Sequence, residues 1–207
     1  MGIDAGLATA TTSATPLAAD AYEITIHTRS AAWLAPLYPI EDRLTTRWAP
    51  TTGPISAETH FREGRFQQDN AIAFGSLIVV QCSQFIDGAW QDRSLTVGST
   101  LGVEDAIGAL WRLREAATPD DVSFPVFTGS RVLQLHAVCT PDGAHRRCEV
   151  AVGKAANDAS GDLRNTLTVW FTDDAVRLPV RARIETRAGG VAVTLLTPAS
   201  VQRAGQH

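Results

Sequence analysis

The chain has 207 residues, 44% of them hydrophobic and 19% charged, with a formal net charge of −4 and a pI near 5.7. That length admits one large domain or two small ones, with apolar residues enough for a buried core, which sets aside wholesale disorder. The acidic balance argues against a dedicated nucleic-acid binder, whose binding domain is usually basic. No stretch reaches the ~18 uncharged apolar residues of a membrane-spanning helix.

Residues 1–21 lack the basic start and apolar run of an intact secretory signal, although Ala19-Asp20-Ala21 resembles a cleavage region. The two readings are a flexible leader and the remnant of a signal region, and the Ala/Thr-rich composition favours the leader. A single β-rich domain is expected over 22–198, with a flexible tail over 199–207.

Strand patterns then dominate. Tyr22, Ile24 and Ile26 alternate with Glu23, Thr25 and His27, the period of a half-buried strand. "AAWLAPLYPI", residues 31–40, interrupts it, since Pro36 and Pro39 prevent an ordinary helix. It reads either as an exposed apolar segment or as a loop crossing the core. A strand follows from Ile40 to Trp48. "ISAETHFREGRFQQDNAIAF" reads as two strands joined at Arg62-Glu63-Gly64-Arg65, with glycine supplying the positive φ of the connection. Asp87-Gly88 marks the next turn.

"GVEDAIGALWRLREAATPDD" breaks the alternation. Ile107, Leu110, Trp111 and Leu113 fall at helical spacing, so one helix is expected over about 104–117. Glu104 and Asp105 suit its positive end, Arg112 and Arg114 its negative end, and Pro119 its stop. Trp111 reads most simply as a core anchor over a sheet.

Cys139 and Cys148 flank the turn signal Pro141-Asp142-Gly143 between two strand-like runs. A hairpin there would bring them together. The spacing matches no paired-cysteine metal framework despite His136 and His145 nearby, so a disulfide or free thiols are favoured over metal. Cys82 reads as a small buried apolar residue. "NDASGD", residues 157–162, is a polar loop.

The last block, "LTVWFTDDAVRLPVRARIETRAGGVAVTLL", reads as a three-stranded meander. Asp173 and Asp174 suit its first turn, where carboxylates accept backbone N–H bonds, better than a catalytic dyad. Arg177, Arg181 and Arg183 would line one polar face, able to receive phosphate or carboxylate or merely to be solvated. Pro179 lacks a ladder donor, which places it at an edge or a bulge.

These two blocks resemble the bacterial domain-of-unknown-function family thirty-one-zero-eight. The helix matches at Asp105, Ala109, Leu113 and Arg114; the meander matches at Asp173, Asp174, Arg177, Leu178, Pro179, Val180 and a glycine at 189 or 190. The resemblance spans about 22–197, departing from the commoner glycine-rich opening at Trp33 to Tyr38. It implies an exported protein of the periplasm or cell envelope. The meander is also similar to that of lipoprotein carriers, where a curved sheet under a helix encloses an apolar cavity. The expected architecture is therefore mainly β: a single antiparallel, strongly curved sheet or open β-barrel with one covering helix.

Three functions compete. The first is a non-enzymatic envelope protein binding an apolar or amphiphilic ligand or a protein partner, with Arg177, Arg181, Arg183 and Trp111 as ligand-binding candidates and no cofactor or metal. The second is a hydrolase or lyase drawing on His27, His60, His136, Asp105 and the Asp173/Asp174 pair, although no catalytic motif supports it. The third is an interaction module using an edge strand near Pro179.

Overall fold

The computed structural model describes residues 6–14, 21–98, 102–116, 120–153, 166–186 and 189–194. Among these, thirteen strands and one helix follow in chain order: β1 (Gly6–Ala14), β2 (Tyr22–Ser30), β3 (Glu41–Ala49), β4 (Gly53–Glu63), β5 (Phe66–Ala73), β6 (Leu77–Ile86), β7 (Ala89–Gly98), α1 (Ala106–Glu115), β8 (Asp120–Phe127), β9 (Val132–Asp142), β10 (His145–Gly153), β11 (Thr166–Thr172), β12 (Pro179–Thr186) and β13 (Gly189–Thr194). They form two antiparallel sheets, of order β1-β2-β3-β4-β5-β6-β7 and β13-β12-β11-β10-β9-β8. This corrects the expectation of one sheet or an open barrel. Alternation marks each strand but not where the succession of hairpins stops, and it stops where α1 intervenes between β7 and β8.

The chain divides into two compact units, Met1–Ala109 with Phe124–Leu133 and Leu110–Ser123 with Gln134–His207. Within the stretch expected as a leader, residues 6–14 form β1, paired residue by residue with β2 from Gly6↔Ser30 to Ala14↔Tyr22. Its threonines suit a pleated strand, residues 6–13 are all exposed, and the pairing covers what would otherwise be an open edge of β2. The expected helix stop at Pro119, the 157–162 loop and the 199–207 tail lie outside the described residues.

In the first unit, one cross-strand row carries the core. Ile24, Thr46, Ala57, Ile72 and Val80 are consecutive register partners, and all are buried. Ile78, Val103 and Phe127 complete the cluster, and half-buried Cys82 packs against it, in keeping with an apolar rather than a nucleophilic role. The turns follow the glycine signals: Gly64 has φ 58°, while Asp87 and Gly88 (φ 52° and 85°) give the paired left-handed residues of a two-residue hairpin.

A hydroxyl in an apolar row needs an acceptor. Thr46 donates to Asp105 Oδ2 at 2.6 Å, and the other Asp105 oxygen accepts the Gly108 N–H at 2.7 Å, which makes Asp105 the N-cap of α1. Beside it, the Trp48 indole N–H donates to buried Glu104 Oε2 at 3.1 Å. The helix can approach this close only because residue 108 is glycine: a Cβ there would lie 2.1 Å from Glu104 Oε2.

In the second unit, Cys139, Cys148 and Val169 fall on one buried face, while Thr140, Arg147, Trp170 and Arg181 share the opposite one. Cys139 and Cys148 are direct cross-strand partners joined by a disulfide. The meander stands as β11-β12-β13. At Pro179 the register shifts between Trp170 and Phe171, so the proline occupies a bulge; the edge position falls instead to β13.

Candidate functional site

A helix ends with carbonyls that have no partner of their own, and they must find donors when buried. Two arginines supply them at the end of α1. Arg146, only 1% exposed on β10, donates from its two terminal nitrogens to the carbonyls of Ala116 and Leu113 and lies over the Phe171 ring at 5.3 Å. Arg177, from the β11–β12 turn, donates through Nη1 to the carbonyls of Arg114, Glu115 and Ala116 at 3.1–3.3 Å.

The turn that delivers Arg177 is built by Asp174. One carboxylate oxygen, Oδ1, accepts the Thr172 hydroxyl at 2.8 Å and the backbone N–H groups of Val176 and Arg177 at 3.0 and 2.8 Å. These bonds, the Arg177 N–H foremost, hold the Asp174 carboxyl below its usual range. Arg177 itself sits at φ 49°, a left-handed conformation that non-glycine residues rarely take. Strain at such a position persists only where surrounding contacts over-determine it, and here the helix carbonyls and the Asp174 oxygen do so.

The result is an open cleft of about 450 Å³ lined by Arg114, Glu115, Asp173, Asp174, Ala175 and Arg177. That volume falls within the ~300–1,000 Å³ of small-ligand sites. Both of its guanidiniums are fixed. Arg114 donates from Nε to the Val176 carbonyl at 2.9 Å and lies 4.2 Å above the Trp111 ring, whose own N–H donates to Glu115 Oε1 at 2.9 Å. Among the described residues, no ion pair joins Arg114 or Arg177 to a carboxylate. Each therefore presents free N–H donors from a held position, the preorganisation that anion recognition by a guanidinium requires.

The candidates picked out in the sequence separate into two groups. Arg177 lines the cleft, and Trp111 supports it from behind Arg114, half-buried rather than serving as the core anchor expected; Ile107, Ala109 and Leu113 are the buried helix residues. Arg181 and Arg183 lie on the opposite face of the sheet, where Arg181 covers Trp170 at 4.9 Å. Sequence alternation had put the three arginines together because it carried strand periodicity through 177, a turn residue. Arg114 and Arg146 were missed as site builders, since nothing local marks an arginine whose partners are carbonyls about thirty or sixty residues away.

Within the first unit, the residues of the enzyme reading have separate partners: His27 faces Glu41, His60 bonds Asp69, and Asp105 bonds Thr46 and the start of α1. His60 and Asp69 share a 3.0 Å hydrogen bond across β4 and β5, but Arg62 also binds Asp69 and, as the leading cause, holds its carboxyl below the usual range. An ionised, arginine-paired aspartate orients a histidine but offers no proton. Ser83, the nearest hydroxyl in the same cross-strand row, lies beyond Asp69 from His60 and donates to Asp92 at 2.6 Å. Asp105 is committed to the helix cap. No cluster of three or more metal-ligating side chains occurs among the described residues.

A family model described as Protein of unknown function (DUF3108) matches residues 1–197. The chain belongs to this family. The match extends across β1, beyond the span expected from the two sequence blocks. No curated protein and no solved structure matches the chain, and the likeness to lipoprotein carriers gains no support. The residues that carried the family resemblance occupy structural joints: Asp105 caps the start of α1, Arg114 closes its end, and Asp174 and Arg177 form the turn against that end.

Proposed function

We propose that this is an exported, non-enzymatic bacterial envelope protein whose second unit holds the anionic group of an amphiphilic ligand. The observation that carries the reading is the cleft itself, in which backbone carbonyls immobilise the Arg114 and Arg177 guanidiniums and no ion pair among the described residues joins either to an acid. A charged, open cleft suits a headgroup rather than an acyl chain. The apolar portion of such a ligand is matched by exposed Val176 beside the cleft and by exposed Ile184 and Val193 on the apolar face of β12 and β13. The Cys139–Cys148 disulfide is consistent with an oxidising compartment.

Native purification from a bacterial envelope followed by mass spectrometry of bound small molecules tests this. The reading expects an acidic amphiphile that is retained by the wild-type protein and lost from Arg114→Ala/Arg177→Ala. An empty wild-type protein, or a ligand equally retained by the double variant, overturns it.

A further inference from the structure

The β2–β3 connection, residues 31–40, does not take part in the site above. None of its ten residues is charged, and three of its large apolar side chains are exposed: Trp33 is 54%, Leu37 79% and Tyr38 46% exposed. Large apolar side chains displayed together on one loop are unusual in a protein that meets only water.

The backbone of the loop sharpens the point. The N–H groups of Leu34 and Ala35 both donate to the Ala31 carbonyl at 2.9 Å, and those of Leu37 and Tyr38 to the Leu34 carbonyl at 2.9 and 2.8 Å. The Ile40 N–H donates to the Ser30 hydroxyl at 2.6 Å, and that hydroxyl donates in turn to the Tyr38 carbonyl. Pro36 and Pro39 have no N–H to satisfy. From Leu34 to Ile40, therefore, every backbone donor is either internally bonded or absent. An apolar medium supplies no acceptors, so a loop rests at an acyl boundary without stranding an N–H only where its donors are already bonded, as these are.

We propose that this loop docks the protein onto a phospholipid surface, with Leu37 entering the acyl boundary and Trp33 and Tyr38 at headgroup level, the depth that amphipathic rings prefer. Tyr38 is braced from behind by Gly64, whose N–H donates to the Pro39 carbonyl, so the tip is presented rigidly and loses little entropy on docking. Arg29 and Glu41 flank the loop, and Glu63 and Arg65 flank the glycine that meets it, two charges of each sign. Binding thus rests on apolar area and is nearly indifferent to salt, unlike that of a polybasic segment.

The test is co-sedimentation of the full chain with vesicles of phosphatidylethanolamine and phosphatidylglycerol at low and high salt. Leu37→Asp is expected to lower partitioning about ten-fold or more, the effect of leaving one buried leucine out of an apolar phase. Quenching of fluorescence by brominated acyl chains should fall on Trp33→Ser. Leu37 is exposed enough that Leu37→Asp should keep the wild-type melting temperature. Absence of vesicle binding, equal partitioning of Leu37→Asp, or a photocrosslinker at position 37 that captures a protein in place of lipid would each overturn the proposal.

Discussion

Gly108 shows how little a residue's type reveals without its neighbours. In an exposed helix, glycine to alanine adds about 1 kcal/mol of stability. Here the added methyl would meet the Glu104 carboxylate and the Trp48 indole at 2.1 and 2.9 Å, so Gly108→Ala is expected to destabilise instead, by about 1–3 kcal/mol in urea unfolding. Asp105 gives a pH-dependent counterpart. Burial first, with the neighbouring Glu104 charge adding to it, raises its carboxyl above the usual 3.8. The folded state then holds a proton that the unfolded state has already released. Stability therefore falls as pH rises from 3.8 through the raised value, and the penalty is complete above it. Asp105→Asn should flatten that part of the curve, read as unfolding midpoints between about pH 4 and pH 7, while Asp105→Ala should be equally flat but lie ~1–2 kcal/mol below Asp105→Asn through the lost cap. The cap was half-legible in the sequence: an acid before a helical run was visible, but its second partner, Thr46, lies 59 residues away.

At the scale of elements, the end of α1 is held by arginines from β10 and the β11–β12 turn, and the two should fail differently. Arg146 is buried and bonded to two carbonyls, so Arg146→Leu is expected to destabilise by about 3 kcal/mol, and lysine should not rescue it because it lacks the fork. Arg177→Gly relieves the positive φ while removing one set of carbonyl bonds, effects of about 1 kcal/mol each and opposite sign. Its melting temperature should stay close to wild type although the anion site is gone, which isolates binding from folding. The strands themselves were readable, since alternation is a local signal; so were the turns at Gly64, Asp87-Gly88 and Gly143, where φ is positive. The grouping of Arg177 with Arg181 and Arg183 was not, because a turn resets which face each later residue occupies.

At the scale of the molecule, the division into two sheets turns on pairings that no local pattern encodes. The β1 strand shows the same limit: an Ala/Thr-rich segment is compatible with a tail, and only its register with β2 makes it a strand. Export is the molecular-scale proposal most readily checked apart from ligand binding. Protein isolated from its native cell with thiols blocked at lysis should show one reactive thiol on unfolding, Cys82, if it is exported, whereas a protein kept in a reducing compartment shows three, and reduction should cost about 2–3 kcal/mol for so short a loop.

The central claim is that the Arg114–Arg177 cleft recognises an anionic group, and the guanidinium Nε–H resonances of those two residues report on it directly. Titrating the labelled protein with a short-chain phosphatidic acid should shift both signals along one saturable curve, leave those of Arg181 and Arg183 in place, and have no counterpart in Arg177→Gly. Shifts that are linear and shared by every exposed arginine would show charge screening alone and contradict the account.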